Sequence, residues 1–197
     1  MDLEISTSRG CVVALAGRRI DPLGTSTRRF PISQVGRVSD EIRQKLSDRQ
    51  AKILVSAAAC GADIIALEVA GELGMRRRIV LPLDPMVFRE KSVTDRPGDW
   101  GTRFDQIVVE TRAHDDLIIE SVEQTELTPD YFRTNIDILN EAIRLSVDAG
   151  LPVEVLVVWD GQVRGDDDVT AHFRDESLRR GLPVTEVLTS MIEPEQH

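Results

Sequence analysis

A turn that can bind phosphate is predicted where an apolar segment, residues 52–56, leads into a segment of helical period. Between them lie small residues and one acid: Ser56, Cys60, Gly61, Ala62 and Asp63. Amides at a helix N-terminus lack intrahelical partners and carry partial positive charge, and small side chains let an anion approach the main chain. We therefore expect the backbone amides of residues 59–63 to hold a phosphate group.

A second apolar segment, residues 11–16, ends in the same way, in Gly17, Arg18 and Arg19. A guanidinium group matches the oxygens of a phosphate in a bidentate contact. The alternative is that one or both arginines are exposed surface charges. Arg29 and Arg89, in two long loops, are further candidates for the same contact.

Two carboxylates near the first turn have a structural and a functional interpretation. Asp63 is placed to cap the following helix, or to accept a hydrogen bond from a ribose hydroxyl. Glu68 lies among apolar residues one turn after Ile64. A carboxylate buried there needs a partner, such as an arginine of the first loop, and in an open cleft it is the candidate general base.

Residues that can recognise a base or a sugar follow later in the chain. Tyr131 and Asn135 lie one turn apart on a predicted helix, where Tyr131 either contacts ligand or packs with Phe132, and Asn135 either contacts ligand or is solvated. A further group, whose tryptophan either stacks on a base or closes the core, ends the most apolar strand: Trp159, Asp160 and Gly161.

Composition excludes several classes of protein. The 197-residue chain has a formal charge of −10, which opposes binding to nucleic acid. No run reaches the roughly 18 apolar residues of a membrane span, and the first residues lack a signal-peptide pattern, so we expect a cytoplasmic protein without a membrane partner. Cys11 and Cys60 are expected to be reduced thiols that serve as small apolar residues.

Apolar runs of strand length alternate with segments of helical period, which is typical of βαβ units. The pattern predicts an α/β fold, a Rossmann-like three-layer sandwich with a mostly parallel central sheet. Predicted strands cover residues 11–16, 52–56, 78–83, 116–120, 153–159 and 184–188. Predicted helices cover residues 35–49, 63–73, 100–111, 129–149 and 169–180.

The expected organisation is one domain over residues 11–191, with flexible ends at 1–10 and 192–197. Two long connections, residues 19–34 and 84–99, would leave the strand-end face that carries the site. The acidic run at residues 166–168 invites a Mg²⁺ interpretation, but adjacent residues seldom converge on one ion, so capping and solvated charge are preferred and no metal site is assigned.

The chain resembles the SLOG superfamily in the order of four short motifs. These are residues 13–19 (Val-Ala-Leu-Ala-Gly-Arg-Arg), 56–63 (Ser-Ala-Ala-Ala-Cys-Gly-Ala-Asp), 81–83 (Leu-Pro-Leu) and 159–161 (Trp-Asp-Gly). The superfamily joins LOG-type phosphoribohydrolases, DprA/Smf proteins and nucleotide-sensing domains. The resemblance implies a Rossmann-like fold and a nucleotide site, and it is greatest to the sensing branch.

The catalytic motifs of LOG enzymes are missing. Their Gly-Gly-Arg turn with a following glutamate, and their Pro-Gly-Gly-x-Gly-Thr-x-x-Glu motif, have no counterpart at residues 16–21 and 161–170. The leading hypothesis is therefore binding or sensing of a nucleotide or nucleotide-derived phosphate ligand. The alternatives are a nucleoside-monophosphate phosphoribohydrolase or related N-glycosidase, and a protein-interaction scaffold without ligand. No cofactor is firmly implied, Mg²⁺ can accompany a phosphate ligand, and exposed apolar helix surface can support a homodimer.

Overall fold

A six-stranded, all-parallel sheet forms the centre of the molecule in a computed structural model, which describes residues 10–120 and 130–190. The sheet order is β4-β3-β2-β1-β5-β6. Val12 of β1 pairs with Ile53 of β2 on one side and Val153 of β5 on the other. The strands are β1 (Val12–Gly17), β2 (Ile53–Ser56), β3 (Arg76–Leu81), β4 (Leu117–Ile119), β5 (Val153–Trp159) and β6 (Val184–Leu188).

Helices cover both faces of this sheet. Because side chains alternate along a strand, Val13 and Leu15 of β1 pack into one core while Val12 and Ala14 pack into the other. The first core also receives α1 (Val35–Asp48), α2 (Ala62–Glu72), α3 (Pro85–Ser92) and α4 (Trp100–Arg112). The second receives α5 (Tyr131–Ala149) and α6 (Val169–Arg179). The predicted fold class, a Rossmann-like three-layer sandwich, is confirmed.

The predicted strands are all present, and the largest difference in boundaries is at β3. It was expected at residues 78–83 and lies at Arg76–Leu81. Its first residues are arginines that pair with acids near the start of the sheet, Arg76 with Asp116 and Arg78 with Glu141. Pro82 follows the last residue, and its missing N–H suits the end of a strand. The strands were predicted from apolar runs, so the pattern did not include the charged residues with which this strand begins.

Helix α3 lies within the connection 84–99, where the sequence pattern predicts a long loop. Asp84 caps this helix by accepting a hydrogen bond from the Met86 amide, and Pro85 takes the first helical position. An acid followed by proline is a recognised helix start. In the connection 19–34, a short 3-10 turn at Ile32–Gln34 was likewise missed.

Strand order reverses between β1 and β5, because β2 lies on one side of β1 and β5 on the other. At such a reversal the connections leave in opposite directions, and a crevice opens beyond the carboxyl ends of the two strands. Arg18 follows β1 directly and Asp160 follows β5 directly. The topology therefore brings together residues that are 142 positions apart in the chain.

No helix among the described residues combines the length and the apolar character that a membrane span requires. The ends predicted to be flexible, residues 1–10 and 192–197, lie outside the described residues apart from Gly10.

A side chain at Gly17 has no room, because a Cβ there would lie 2.4 Å from the Cβ of Ala62 and 2.6 Å from the carbonyl oxygen of Val158. We expect Gly17→Ala to lower the free energy of unfolding by about 1–3 kcal/mol, as overpacking does elsewhere. The measurement is urea unfolding followed by circular dichroism.

Gly36→Ala is the matched control, because Gly36 lies in α1 and a Cβ there meets no atom within 4 Å. Alanine is the better helix former, so this variant should be as stable as the wild type or slightly more so. Equal stability of the two variants would contradict the packing argument.

Candidate functional site

A cavity of about 700 Å³ opens beyond the carboxyl ends of the strands, and we call it the strand-end cavity. Its walls come from the turn after β1, the loop after β2, the first turns of α5 and the loop between β5 and α6. Five arginines line it: Arg18, Arg19, Arg29, Arg96 and Arg164. Four aspartates line it as well: Asp21, Asp63, Asp167 and Asp168. The lining thus combines both signs of charge in a chain whose net charge is −10.

Arg18 is bound between two carboxylates. Its Nε donates to Asp160 Oδ1 at 2.9 Å, and its Nη1 and Nη2 donate to the two oxygens of Asp168 at 2.5 and 2.8 Å. Nη2 also donates to the carbonyl oxygen of Gln162 at 2.8 Å. Arg18 is 7% exposed. In the structure, the partners of this guanidinium are therefore groups of the protein itself. A phosphate contact by Arg18 stays a prediction.

Arg164 joins the same carboxylates from the other side. Its Nε and Nη2 donate to Asp160 Oδ2 at 3.1 and 2.6 Å, and its backbone amide donates to Asp168 Oδ2 at 2.9 Å. We call Arg18, Arg164, Asp160 and Asp168 the Arg18 cluster. Two positive and two negative side chains cancel, so the cluster is neutral.

The contact between Arg18 and Asp168 raises the pKa of the arginine and lowers the pKa of the acid. Burial alone would lower the pKa of Arg18, but its hydrogen bonds and charge contacts with Asp168 and Asp160 outweigh burial and raise it. Burial alone would raise the pKa of Asp168, but Arg18 and backbone amides lower it. Asp168 also caps α6 by accepting from the amides of Thr170 and Ala171, so the capping interpretation of the acidic run is confirmed at this residue.

The turn at residues 59–63 uses much of its hydrogen-bonding capacity internally. The Ala59 amide donates to Asp63 Oδ2, the Cys60 amide to the Ser92 carbonyl and the Ala62 amide to the Arg18 carbonyl. Three of the five amides expected to hold phosphate are therefore already bonded. The glycine there has a different role: Gly61 precedes α2 at φ +100°, and a Cβ would lie 2.8 Å from the Arg18 carbonyl oxygen.

Asp63 is a buried acid in the cavity wall. The helix begins one residue earlier than expected, with Gly61 as its N-cap, so the expected cap Asp63 lies in the first turn and accepts from the Ala59 amide before the helix. Asp63 is 5% exposed, and its Oδ1 has no hydrogen-bond partner among the described residues. Burial raises its pKa to about 7, against the opposing effect of the Ala59 and Gly17 amides and of Arg19.

Glu68 does not line the strand-end cavity. Its Oε1 accepts from Arg103 Nε at 2.7 Å and its Oε2 accepts from Arg103 Nη2, in a bidentate ion pair. The partner is thus an arginine of α4, which also stacks on Trp100 at 4.1 Å, and not an arginine of the first loop. The prediction that Glu68 acts as a general base receives no support from its position.

Tyr131 and Asn135 both line the cavity, as expected for ligand contacts, but each also has an internal partner. The Tyr131 hydroxyl lies 2.7 Å from Ser92 Oγ. Asn135 is 3% exposed, so it is not a solvated helix residue, and its Nδ2 donates to the Val169 carbonyl at 2.8 Å. Phe132 packs edge-on against His172 rather than beside Tyr131 on the sheet.

Most of the remaining predicted ligand residues lie outside the lining of the cavity. Trp159 is 4% exposed and lies in the second core, where its Nε1 donates to Glu186 at 3.0 Å, so it closes the core. Of the other small or turn residues, Gly17 lines the cavity. Those outside the lining are Ser56, Cys60, Gly61, Ala62, Asp160 and Gly161.

Three arginines from the long connections complete the cavity, and their partners differ. Arg19 pairs with Asp95, and Arg96 Nε lies 3.8 Å from the same carboxylate. The Arg29 amide donates to Asp21, but the Arg29 guanidinium has no hydrogen bond or ion pair within the described part of the chain. Arg89 pairs with Asp105 and does not line the cavity.

Sequence reasoning missed Arg96 and Arg164 as cavity residues. The available signal was that Arg164 lies in the glycine-containing loop after β5, at the same strand-end face as Gly17. No group of three or more His, Cys, Asp or Glu side chains within residues 10–120 and 130–190 is placed to hold a metal ion.

Removal of the Arg18 side chain leaves Asp168 without its guanidinium partner in a buried setting. We expect Arg18→Ala to lower the free energy of unfolding by about 3–5 kcal/mol, because the carboxylate left behind is buried and has lost the opposite charge that stabilised it. Urea unfolding is the measurement. Arg43→Ala, which removes the partly exposed pair with Glu72, should change stability by less than about 1 kcal/mol. Equal losses would contradict a structural role for the Arg18 cluster.

Stability should depend on pH through Asp63. Its folded pKa of about 7 exceeds the ordinary 3.8, so between these values the folded chain binds more protons than the unfolded chain. The contribution of Asp63 to stability is therefore full below about pH 4. It falls by up to about 4 kcal/mol as the pH rises to about 7.

Asp63→Asn removes this titration while keeping an oxygen for the Ala59 amide. The stability of the variant relative to the wild type should rise between pH 4.5 and 8, measured by urea unfolding at several pH values. Asp40→Asn, at an exposed position of α1, should follow the wild type. Parallel pH profiles of Asp63→Asn and the wild type would contradict the assignment.

Comparisons with known proteins add one structural likeness. No family model matches the chain, and no curated protein matches it. Among solved structures, the chain is similar to DNA processing protein A (DprA) from Streptococcus pneumoniae, with 14% sequence identity and a TM-score of 0.40. The match covers 89% of this chain and 58% of the DprA chain, so this chain spans somewhat more than half the length of that protein. A likeness at this level assigns neither family nor function.

Proposed function

We propose that the chain binds a nucleotide or nucleotide-derived phosphate ligand in the strand-end cavity, in a sensing or regulatory role. The observation that carries the proposal is Arg29. Its guanidinium lines the cavity and has no carboxylate partner among the described residues. A cation with free donors in a concave site at a strand-order reversal is suited to an anionic ligand.

The size and lining of the cavity agree with a ligand larger than phosphate alone. A volume of about 700 Å³ falls in the range of roughly 300–1,000 Å³ that small-molecule sites occupy. Tyr131 lies in its wall and offers an aromatic ring to a base, and Asn135 lies beside it with its Nδ2 already bonded to the Val169 carbonyl. These groups support a nucleotide over a simple anion.

A sensing role is preferred to catalysis because the LOG catalytic motifs are absent and Glu68 lies outside the cavity. The sensing branch of the SLOG superfamily, which the chain resembles in the order of its short motifs, combines a Rossmann-like fold with nucleotide sensing. Binding without turnover is the expected behaviour.

The test is a thermal-shift screen against AMP, ADP, ATP, cyclic nucleotides and dinucleotides, NAD and ADP-ribose, with and without Mg²⁺. A ligand at about 100 times its dissociation constant should stabilise the fold by roughly 2.7 kcal/mol. A single-stranded oligonucleotide should give no shift, because the net charge is −10. No shift with any probe would contradict the proposal and favour the scaffold hypothesis.

Arg29→Ala is the diagnostic variant for that ligand. Loss of a charge-assisted hydrogen bond of about 1.5–3 kcal/mol should weaken binding roughly 10- to 100-fold in calorimetric titrations. Its neighbour Arg28 is exposed and does not line the cavity, so Arg28→Ala should bind within about twofold of the wild type. Equal weakening by both variants would indicate a general charge effect and not a site.

An N-glycosidase is the second candidate, and Asp63 is the observation that favours it. A buried cavity carboxyl with a pKa of about 7 is suited to proton transfer near neutral pH. As general base Asp63 would accept a proton from water, whose oxygen would bond to the anomeric carbon as the glycosidic bond to the nucleobase breaks. The nucleobase would take up one proton from solvent as it leaves, and Asp63 would return the proton of the water to solvent.

Product analysis separates this candidate from sensing. A hydrolase would convert AMP to adenine and ribose 5-phosphate, Asp63→Asn would abolish the reaction, and Glu68→Gln would not affect it. Absence of product at saturating AMP would exclude AMP hydrolysis.

A further inference from the structure

Arg164 is held along one edge of its guanidinium group and open along the other. Nε and Nη2 both donate to Asp160 Oδ2, whereas Nη1 has no acceptor within the described part of the chain. The side chain is 25% exposed and lines the strand-end cavity. A guanidinium group fixed on one side, with donors left on the other, is pre-organised to bind an anion.

Arg18 cannot take this role without breaking the cluster. Three of its nitrogens already donate to Asp160, Asp168 and the Gln162 carbonyl. It is 7% exposed, so an anion that reached it would have to displace a buried carboxylate. On this side of the cavity, the arginine with an open edge is Arg164.

The carboxylates fix the backbone as well as the side chain. Asp168 Oδ2 accepts from the Arg164 amide at 2.9 Å, and Asp168 Oδ1 caps α6. Asp160 is 5% exposed and binds Arg18 through one oxygen and Arg164 through the other. The position of Arg164 is thus set by Asp160, which follows β5, and by Asp168, which caps α6, and Arg18 at the end of β1 holds both carboxylates.

We infer that Arg164 contacts the phosphate of the ligand on the β5 side of the cavity and that Asp160 is the positioning residue that orients it. This inference rests on the proposed function, because it requires a phosphate-bearing ligand. It assigns the phosphate contact expected of Arg18 to a residue 146 positions later, and it gives Arg18 the role of support.

The inference predicts that removal of the Asp160 charge weakens anion binding, whereas electrostatics alone predicts stronger binding. Asp160 carries a negative charge beside an anion site, so its removal would strengthen anion binding if only charge mattered. If Asp160 instead orients Arg164, its removal weakens binding. Asp167 provides the comparison, because it lines the same cavity from the same loop, is exposed, and belongs to no contact of the Arg18 cluster.

The experiment is calorimetric titration of the full chain with AMP and, separately, inorganic pyrophosphate at pH 7.5 and constant ionic strength. Arg164→Ala should weaken binding of each probe that the wild type binds by about 10- to 100-fold. Asp160→Asn should weaken binding at least about threefold, whereas Asp167→Asn should leave it unchanged or strengthen it. Circular dichroism and melting temperature verify that each variant is folded.

Arg164→Lys provides a second test of the inference if the Asp160→Asn variant fails to fold. A lysine retains the charge but lacks the planar fork that contacts Asp160 and phosphate together. The inference expects it to bind clearly more weakly than the wild type, and wild-type affinity in Arg164→Lys would overturn it.

The outcomes separate the inference from the proposed function. If the wild type binds neither these probes nor the nucleotides of the screen, both are overturned. If the wild type binds and Arg29→Ala weakens binding while Arg164→Ala does not, the phosphate site stands and the role of Arg164 is overturned. Stronger binding by Asp160→Asn would overturn the positioning role of Asp160.

Discussion

The enclosure of the Arg18 guanidinium by Asp160 and Asp168 is the interaction on which the strand-end face depends. Arg18 leaves β1 at the point where strand order reverses, and the two carboxylates come from the end of β5 and the start of α6. A charge buried there without a partner would cost several kcal/mol. The loop after β5 follows a path that brings both carboxylates to Arg18, and this path also places Arg164 against Asp160.

The contacts of the Arg18 cluster distinguish arginines whose donors are bonded within the protein from arginines that keep donors free. All three nitrogens of the Arg18 guanidinium donate to acceptors within the protein. The guanidinium of Arg29 and the outer edge of Arg164 lack acceptors among the described residues. The cavity lining otherwise combines arginines with aspartates, in a chain with a net charge of −10. Under the proposed function, the donors of Arg29 and Arg164 would meet a small anionic ligand in this concave setting.

The start of α2 shows how one local pattern can serve packing instead of binding. Small residues around Gly61 allow the turn to lie against the Arg18 carbonyl, and the Ala59 and Ala62 amides bond to internal acceptors. Asp63 places an acid where a phosphate would otherwise meet the helix dipole. Under the proposed function, anion recognition in this cavity therefore falls to side chains, in contrast to folds in which helix amides hold the phosphate.

The sequence by itself determined the six strands, every long helix except α3, and the face on which these elements meet. Alternating apolar runs predicted the layers, and Arg18 and Asp160 were placed at strand ends because strand length and turn residues are local properties. Only the tertiary structure decided which groups are free. Whether Arg18 binds ligand or Asp168 depends on a contact across 150 positions, and whether Glu68 faces a cleft or Arg103 depends on how α4 packs. Periodicity reports which side of an element is buried, but it carries no information about which distant partner that side meets.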